Sequence, residues 1–185
     1  MTDNTFPAER TAERLRHMVE AANIHAGDSV LDVGTGTGEL LPYLADSVGR
    51  FGAIDAIDIS GDMLSQAHTK HSRLPLPVRF MLADIEADTV HTLYDRIILL
   101  DVLPHLSRPL ETVMKLFHKN LAGGGSVTLA HSVGRDMLNT LARHSGKSRM
   151  LPPASEMASR FADAGMRVDY VEDTPDSYII RLRRH

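Results

Sequence analysis

Apolar residues recur at Leu15, Met18, Val19 and Ala22 within residues 8–22, the i, i+3, i+4, i+7 spacing of a helix with one buried stripe. The period then changes. SVLDV (29–33), AIDAIDI (53–59), VRFMLA (78–83), RIILLDV (96–102) and SVTLAH (126–131) are short, rich in β-branched residues and too apolar to alternate cleanly. Such segments are strands buried on both faces of a parallel sheet. Helices fit between them. Ser60 can cap one that runs to about His71, with Asp62 in its positive first turn, and Ser107 can cap another that runs to Leu121. Leu110, Val113, Met114, Phe117 and Leu121 give the latter its stripe, and AGGG (122–125) reads as its glycine-rich end. Residues 134–145 and 155–164 read as two more helices. RVDYVED (167–173) and SYIIRLR (177–183) read as a closing strand pair joined by the turn DTPDS (173–177). The alternation predicts a doubly wound α/β sandwich of three layers around a seven-stranded, mostly parallel sheet.

Composition narrows the class without changing that picture. With 185 residues, 43% apolar and 24% charged, and no repeat or linker, the chain is expected to form one domain over residues 1–185, led by a helical segment at 1–24. No apolar run approaches the roughly 20 residues of a membrane helix. The N-terminus lacks the apolar core of a secretory signal, so a cytoplasmic location and no membrane contact are expected, for a monomer or homodimer. There is no cysteine, which excludes thiol chemistry and thiolate metal sites, whereas ten histidines remain available for proton transfer. The net charge of −4 argues against a large nucleic-acid footprint. Arg181, Arg183 and Arg184 make only a short basic tail, expected on an exposed strand edge.

Candidate chemistry starts at LDVGTGTGEL (31–40), an apolar strand running through an acid into closely spaced glycines. Main-chain N–H groups and a helix N-terminus can face a ligand there because glycine carries no side chain to hold it away. The dinucleotide fingerprint is G-x-G-x-x-G; here Gly34, Gly36 and Gly38 make a G-x-G-x-G. Asp32, two residues before the first glycine, would repel a pyrophosphate but could pair with an ammonium group. Asp58 closes the second strand, 24 residues after Gly34, where a carboxylate can accept both hydroxyl protons of a ribose. Asp84, in MLADIE, follows the third strand, where a carboxylate can accept from an adenine amino group.

VLDVGTGTGEL, AIDISGDMLSQA, FMLADIE, YDRIILLDVLPHL and NLAGGGSVTLAH, in that order over about residues 25–132, resemble the successive motifs of the class I S-adenosylmethionine-dependent methyltransferases, the type 11-like members among them. The resemblance implies a Rossmann-like fold with S-adenosyl-L-methionine as methyl donor and S-adenosyl-L-homocysteine as product. It implies that Asp32 and the Gly34–Gly38 turn face the methionine part and Asp58 the ribose. Ile59 and Met63 would flank the adenine, Asp84 and the main chain of Ile85 would read its edge, and Leu100 and Asp101 would border the methionine part and the methyl group.

A sulfonium is already an activated methyl donor, so alignment of the acceptor can supply much of the rate, and a base is needed only for an acceptor that arrives with a proton of high pKa. Candidates for that catalytic work are Asp101 and His105 in DVLPHL and His131 in LAHSVGRD, while Arg135 could pair with an acidic acceptor. Asp101, His105 and His131 could also meet around a divalent ion, but their spacing does not force convergence and no metal site is expected. The N/D/S-P-P-aromatic motif of nucleobase amino-methyltransferases is absent from DVLPHL, and aromatics are only 5%, so a small-molecule acceptor is favoured over a flipped base. Residues 132–153 form a modest lid candidate, with Gly134, Gly146 and paired prolines, and with Asn139 and His144 expected on its surface. The competing readings are a non-catalytic or regulatory cofactor-binding protein, a macromolecular acceptor, and a nicotinamide oxidoreductase, the last disfavoured by the glycine spacing.

Overall fold

The computed structural model describes residues 8–145 and 149–184. A seven-stranded sheet runs through it in the order β3-β2-β1-β4-β5-β7-β6. The strands are β1 (Ser29–Val33), β2 (Ala53–Asp58), β3 (Val78–Leu82), β4 (Tyr94–Leu100), β5 (Leu121–His131), β6 (Arg167–Asp173) and β7 (Tyr178–Arg183). The first five are parallel, and β7 lies antiparallel between β5 and β6. The helices are α1 (Ala8–Ala22), α2 (Leu41–Val48), α3 (Gly61–Lys70), α4 (Pro109–Lys119), α5 (Arg135–Ser145) and α6 (Ala154–Asp163). Expected residues 1–7 of the leading segment, and Gly146 in the lid candidate, lie outside the described residues.

The unbroken apolar runs are explained by two cores. In β1, Val30 joins one buried cluster while Leu31 and Val33 join the other; in β4, Ile98 faces the first and Ile97 and Leu99 the second. Alternate residues of a central strand thus meet opposite helical layers, so both need to be apolar. Leu15 and Met18 of α1 and Leu41 and Leu44 of α2 cover the first face. Val113 and Leu116 of α4 and Met157 and Phe161 of α6 cover the second. The strand order changes direction between β1 and β4, the position at which a doubly wound sheet opens a crevice beyond its strand ends.

Several boundaries differ from expectation for identifiable reasons. AGGG (122–125) does not end α4, which stops at Lys119. It bulges from β5, where Tyr94 pairs with Leu121 and Arg96 already pairs with Ser126. A Cβ on Gly125 would lie 2.7 Å from the Asp95 carbonyl oxygen, so the glycine serves a close strand contact. Asp101 and Val102, read as strand, lie beyond β4. Ser107 is not the cap of α4: Arg108 holds that position without a side-chain cap. The Arg181–Arg184 tail is not an edge, because β7 is an inner strand and Arg181 Nε donates to Asp169 Oδ1 at 2.8 Å. Ser60 does cap α3, accepting from the Met63 N–H at 3.4 Å, and Thr174 N donates to Ser177 O at 2.9 Å across the expected turn.

Candidate active site

A cavity of about 510 Å³ opens beyond the carboxyl ends of β1, β2, β3 and β4. Eight of the residues singled out from the sequence line it: Gly34, Asp58, Ile59, Asp84, Ile85, Leu100, Asp101 and His105. Asp32, Gly36, Gly38, Met63 and His131 are not on its wall.

Its floor is the turn after β1. Gly34 has φ +71, and both Gly34 N and Thr35 N donate to the Ile57 carbonyl, at 2.8 and 3.0 Å, tying the turn to β2. Gly36 and Gly38 also have positive φ. Asp58 closes this arrangement from the neighbouring strand: Oδ2 accepts from Gly36 N and Oδ1 from Ser60 N, each at 2.8 Å. One carboxylate therefore fixes the glycine turn and the entry to α3 while lining the cavity. Each oxygen retains a lone pair for a ligand hydroxyl.

Asp32 sits behind the turn, 1% exposed, with Thr35 Oγ1 donating to its Oδ2 at 2.7 Å. Burial pushes its carboxyl up to about 6; the Thr35 hydrogen bond opposes this and the Asp58 charge adds to it. A carboxyl with a raised folded pKa holds its proton longer in the native than in the unfolded state. Native stability therefore falls as pH rises from the ordinary carboxylate range through about 6, and the cost of the buried charge is complete and constant above. Asp32→Asn removes the buried charge and keeps an oxygen for Thr35. Above pH 6 it is expected to stabilise the protein by about 1–3 kcal/mol, with the gain vanishing near pH 4. Thermal melts of both proteins across that range check it; parallel pH curves would refute the buried charge.

Just beyond β4, Asp101 has φ +58, a left-handed backbone that aspartate tolerates better than most residues. Its Oδ1 accepts from Ser132 N at 3.0 Å and its Oδ2 from Ser132 Oγ at 2.7 Å. His131 Nδ1 lies 3.2 Å from Oδ1, and because a carboxylate only accepts, the proton belongs on Nδ1. Burial works to raise this carboxyl, but the His131 and Ser132 bonds outweigh it and hold the net value below the ordinary range. His131 itself is 0% exposed, its ring edge-on to Tyr178 with centroids 5.6 Å apart, and its Nε2 has no partner. It is thus a support for Asp101 and not a group on the cavity wall, in contrast to the expected contact with an acceptor. Tertiary packing decides this: β5 is central and its last residue points into the second core. His105 is exposed on the wall, held by its N–H to the Val102 carbonyl at 2.9 Å.

Among the described residues no group of three metal-ligating side chains gathers, so Asp101, His105 and His131 do not form the ligand set weighed from the sequence. Arg135 is engaged with Asp173, Nε to Oδ2 at 3.0 Å, instead of standing free for an acidic acceptor. Asn139, expected on the lid surface, is buried and exchanges two hydrogen bonds with the main chain of Leu151, at 2.9 and 2.7 Å. The segment also reaches the residue before His105, where Arg149 N donates to Pro104 O at 3.1 Å. No helix among the described residues is long and apolar enough to cross a membrane.

Sequence reasoning missed Glu86, and read Ser107 only as a helix cap, though both are on the cavity wall. Glu86 stands two residues after Asp84 in the quoted FMLADIE, but nothing local shows that its carboxylate meets the main chain of residues 107 and 108.

A seven-stranded sheet of this order, with a glycine turn and strand-end acids around a crevice at the switch point, is the class I S-adenosylmethionine-dependent methyltransferase fold. The chain belongs to the methyltransferase domain family, whose model matches residues 30–125. It is 30% identical to a phosphatidylethanolamine N-methyltransferase of Cereibacter sphaeroides over 167 residues, 85% of this chain and 78% of that protein. It is 29% identical to a malonyl-(acyl-carrier protein) O-methyltransferase of Anoxybacillus flavithermus over 104 residues, 56% of this chain but only 39% of that relative's length. A methyltransferase structure from Aquifex aeolicus has the same fold, with TM-score 0.72 and 22% identity over 98% of this chain and 100% of that one.

Proposed function

We propose that this protein transfers the methyl group of S-adenosyl-L-methionine to a small-molecule acceptor by direct in-line displacement. The observation that carries the reading is the cavity whose wall brings together Gly34, Asp58, Asp84, Ile85 and Asp101 from four strand ends. Its acids suit a ligand with a sulfonium and an ammonium group and oppose a pyrophosphate, which bears the wrong sign. When bound, the cofactor supplies an activated methyl group.

The protein's own groups then bind and orient. Asp58 accepts ribose hydroxyls with lone pairs left over from Gly36 and Ser60. Asp84 and the Ile85 main chain read the adenine edge, with Ile59 against its face. Gly34, with Asp32 behind it, and Leu100 border the methionine part. Asp101, kept ionised by His131 and Ser132, faces the space where an acceptor would enter, and there it can steady a positive charge or receive a proton. Exposed His105 is the second group able to move a proton at that edge. Met63, exposed and off the wall, is left outside the binding set.

Titration calorimetry with S-adenosyl-L-homocysteine, S-adenosyl-L-methionine and NAD tests the reading without knowledge of the acceptor. Micromolar binding of the first two and none of NAD is expected. Failure of both to bind at millimolar concentration would refute it.

A further inference from the structure

The loop after β3 and the start of α4 are fastened by two charges of opposite sign. Glu86, on the cavity wall, accepts from Ser107 N on Oε2 at 2.9 Å and from Arg108 N on Oε1 at 2.7 Å. These are main-chain donors at the α4 entry, where the helix has no side-chain cap of its own and where a negative charge meets the positive end of the helix dipole. Thr112 Oγ1 adds a longer contact at 3.4 Å. From within the same helix, half-buried Lys115 reaches back: its Nζ donates to Ile85 O at 2.5 Å and Asp88 O at 3.1 Å, and lies 3.4 Å from Glu86 O. The loop's acid therefore caps the helix and the helix's base caps the loop.

What this fastening holds is the cavity itself. Asp84, Ile85 and Glu86 line it from the loop after β3, and His105, Leu106 and Ser107 line it from the segment that enters α4. Around Asp84 the loop's other side-chain bonds are internal, Asp84 Oδ1 accepting from Glu86 N and Asp88 Oδ2 from Asp84 N, both at 2.8 Å, while its far end is held by Asn120 Nδ2, which donates to Val90 O at 2.7 Å and Thr92 O at 3.1 Å. Ile85 is buried in a core, and Ala83 and Val90 pack against the same cluster.

We propose that Glu86 and Lys115 are positioning residues that set the width of the cavity, and thereby its affinity for the adenosine part of the cofactor. The inference rests on the proposed cofactor site. Neither side chain need touch the cofactor: Glu86 fixes the α4 entry against the loop, and Lys115 fixes the carbonyls on either side of residue 86. The Ser107 N–H bond, the strongest influence on Glu86, keeps its carboxyl below the ordinary range, so the fastening persists through neutral pH.

The test is calorimetric titration of the full chain with S-adenosyl-L-homocysteine and with adenosine, for the wild type, Glu86→Gln, Lys115→Met and Lys115→Arg, each well below its melting temperature. Glu86→Gln and Lys115→Met are expected to weaken both ligands by about tenfold, in parallel, because the loss lies in the adenosine part. Lys115→Arg, which keeps the donors and the charge, is expected to restore most of the Lys115→Met loss. The double variant Glu86→Gln/Lys115→Met should lose less than the product of the single losses, since both side chains hold one loop. If Glu86→Gln does not fold, the Lys115 pair decides alone. A wild type that binds while Glu86→Gln and Lys115→Met bind as tightly overturns this inference and leaves the cofactor site standing. A wild type that binds neither ligand overturns both.

Discussion

Gly34→Ala is expected to lower the melting temperature by about 10 °C and to weaken S-adenosyl-L-homocysteine binding by more than tenfold. Two costs add. Residue 34 has φ +71, where an L side chain costs about 1–2 kcal/mol. Its Cβ would also lie 2.5 Å from Val102 Cγ2, an overlap in a packed wall that costs a further 1–3 kcal/mol or so. At roughly 2–4 °C per kcal/mol for a chain of this size, the sum gives the shift stated. Val102 lines the same cavity, so whichever side yields, the wall moves. Combining Gly34→Ala with Val102→Ala removes the overlap but not the backbone cost, and is expected to recover about half of the stability. Melting curves and titrations of the two proteins check this. A Gly34→Ala protein that melts and binds like the wild type would show that the turn is not constrained as described.

Asp58→Ala is expected to weaken cofactor binding by about 100-fold, with adenosine losing as much as S-adenosyl-L-homocysteine. Charge-assisted hydrogen bonds are worth about 1.5–3 kcal/mol each, and 1.4 kcal/mol is tenfold, so loss of two ribose contacts reaches that size. The structure adds a second effect. Because Asp58 also accepts from Gly36 N and Ser60 N, alanine leaves two half-buried donors without their carboxylate, and a stability loss of about 1–2 kcal/mol is expected as well. Asp58→Asn is no remedy, since its amide presents a donor to one of those N–H groups. An unchanged affinity for adenosine would remove Asp58 from the ribose site.

Much of this site is legible in the chain because its parts lie at strand ends, and strands announce themselves by apolar runs. Gly34, Asp58, Asp84 and Asp101 all follow such runs, and a parallel sheet brings the carboxyl ends of its neighbours to one edge. AGGG reads as a helix end because glycine ends helices, but glycine also permits close strand contacts, and only the pairing of β5 with β4 tells which applies. Glu86 and Lys115 were invisible for a related reason: their partners are main-chain groups about 20 to 30 residues away, which carry no residue identity to read.

The succession of strands and helices, the two-faced burial of the central strands and most of the strand-end residues at the crevice are written in the chain, because periodicity and glycine placement act locally. Tertiary structure decided what those residues do there. It set His131 behind Asp101 and not before an acceptor, paired Arg135 with Asp173, gave Asp58 the glycine turn to hold, and fastened the loop after β3 to α4. Burial and hydrogen-bond partnership depend on which elements pack together, and no local pattern encodes that.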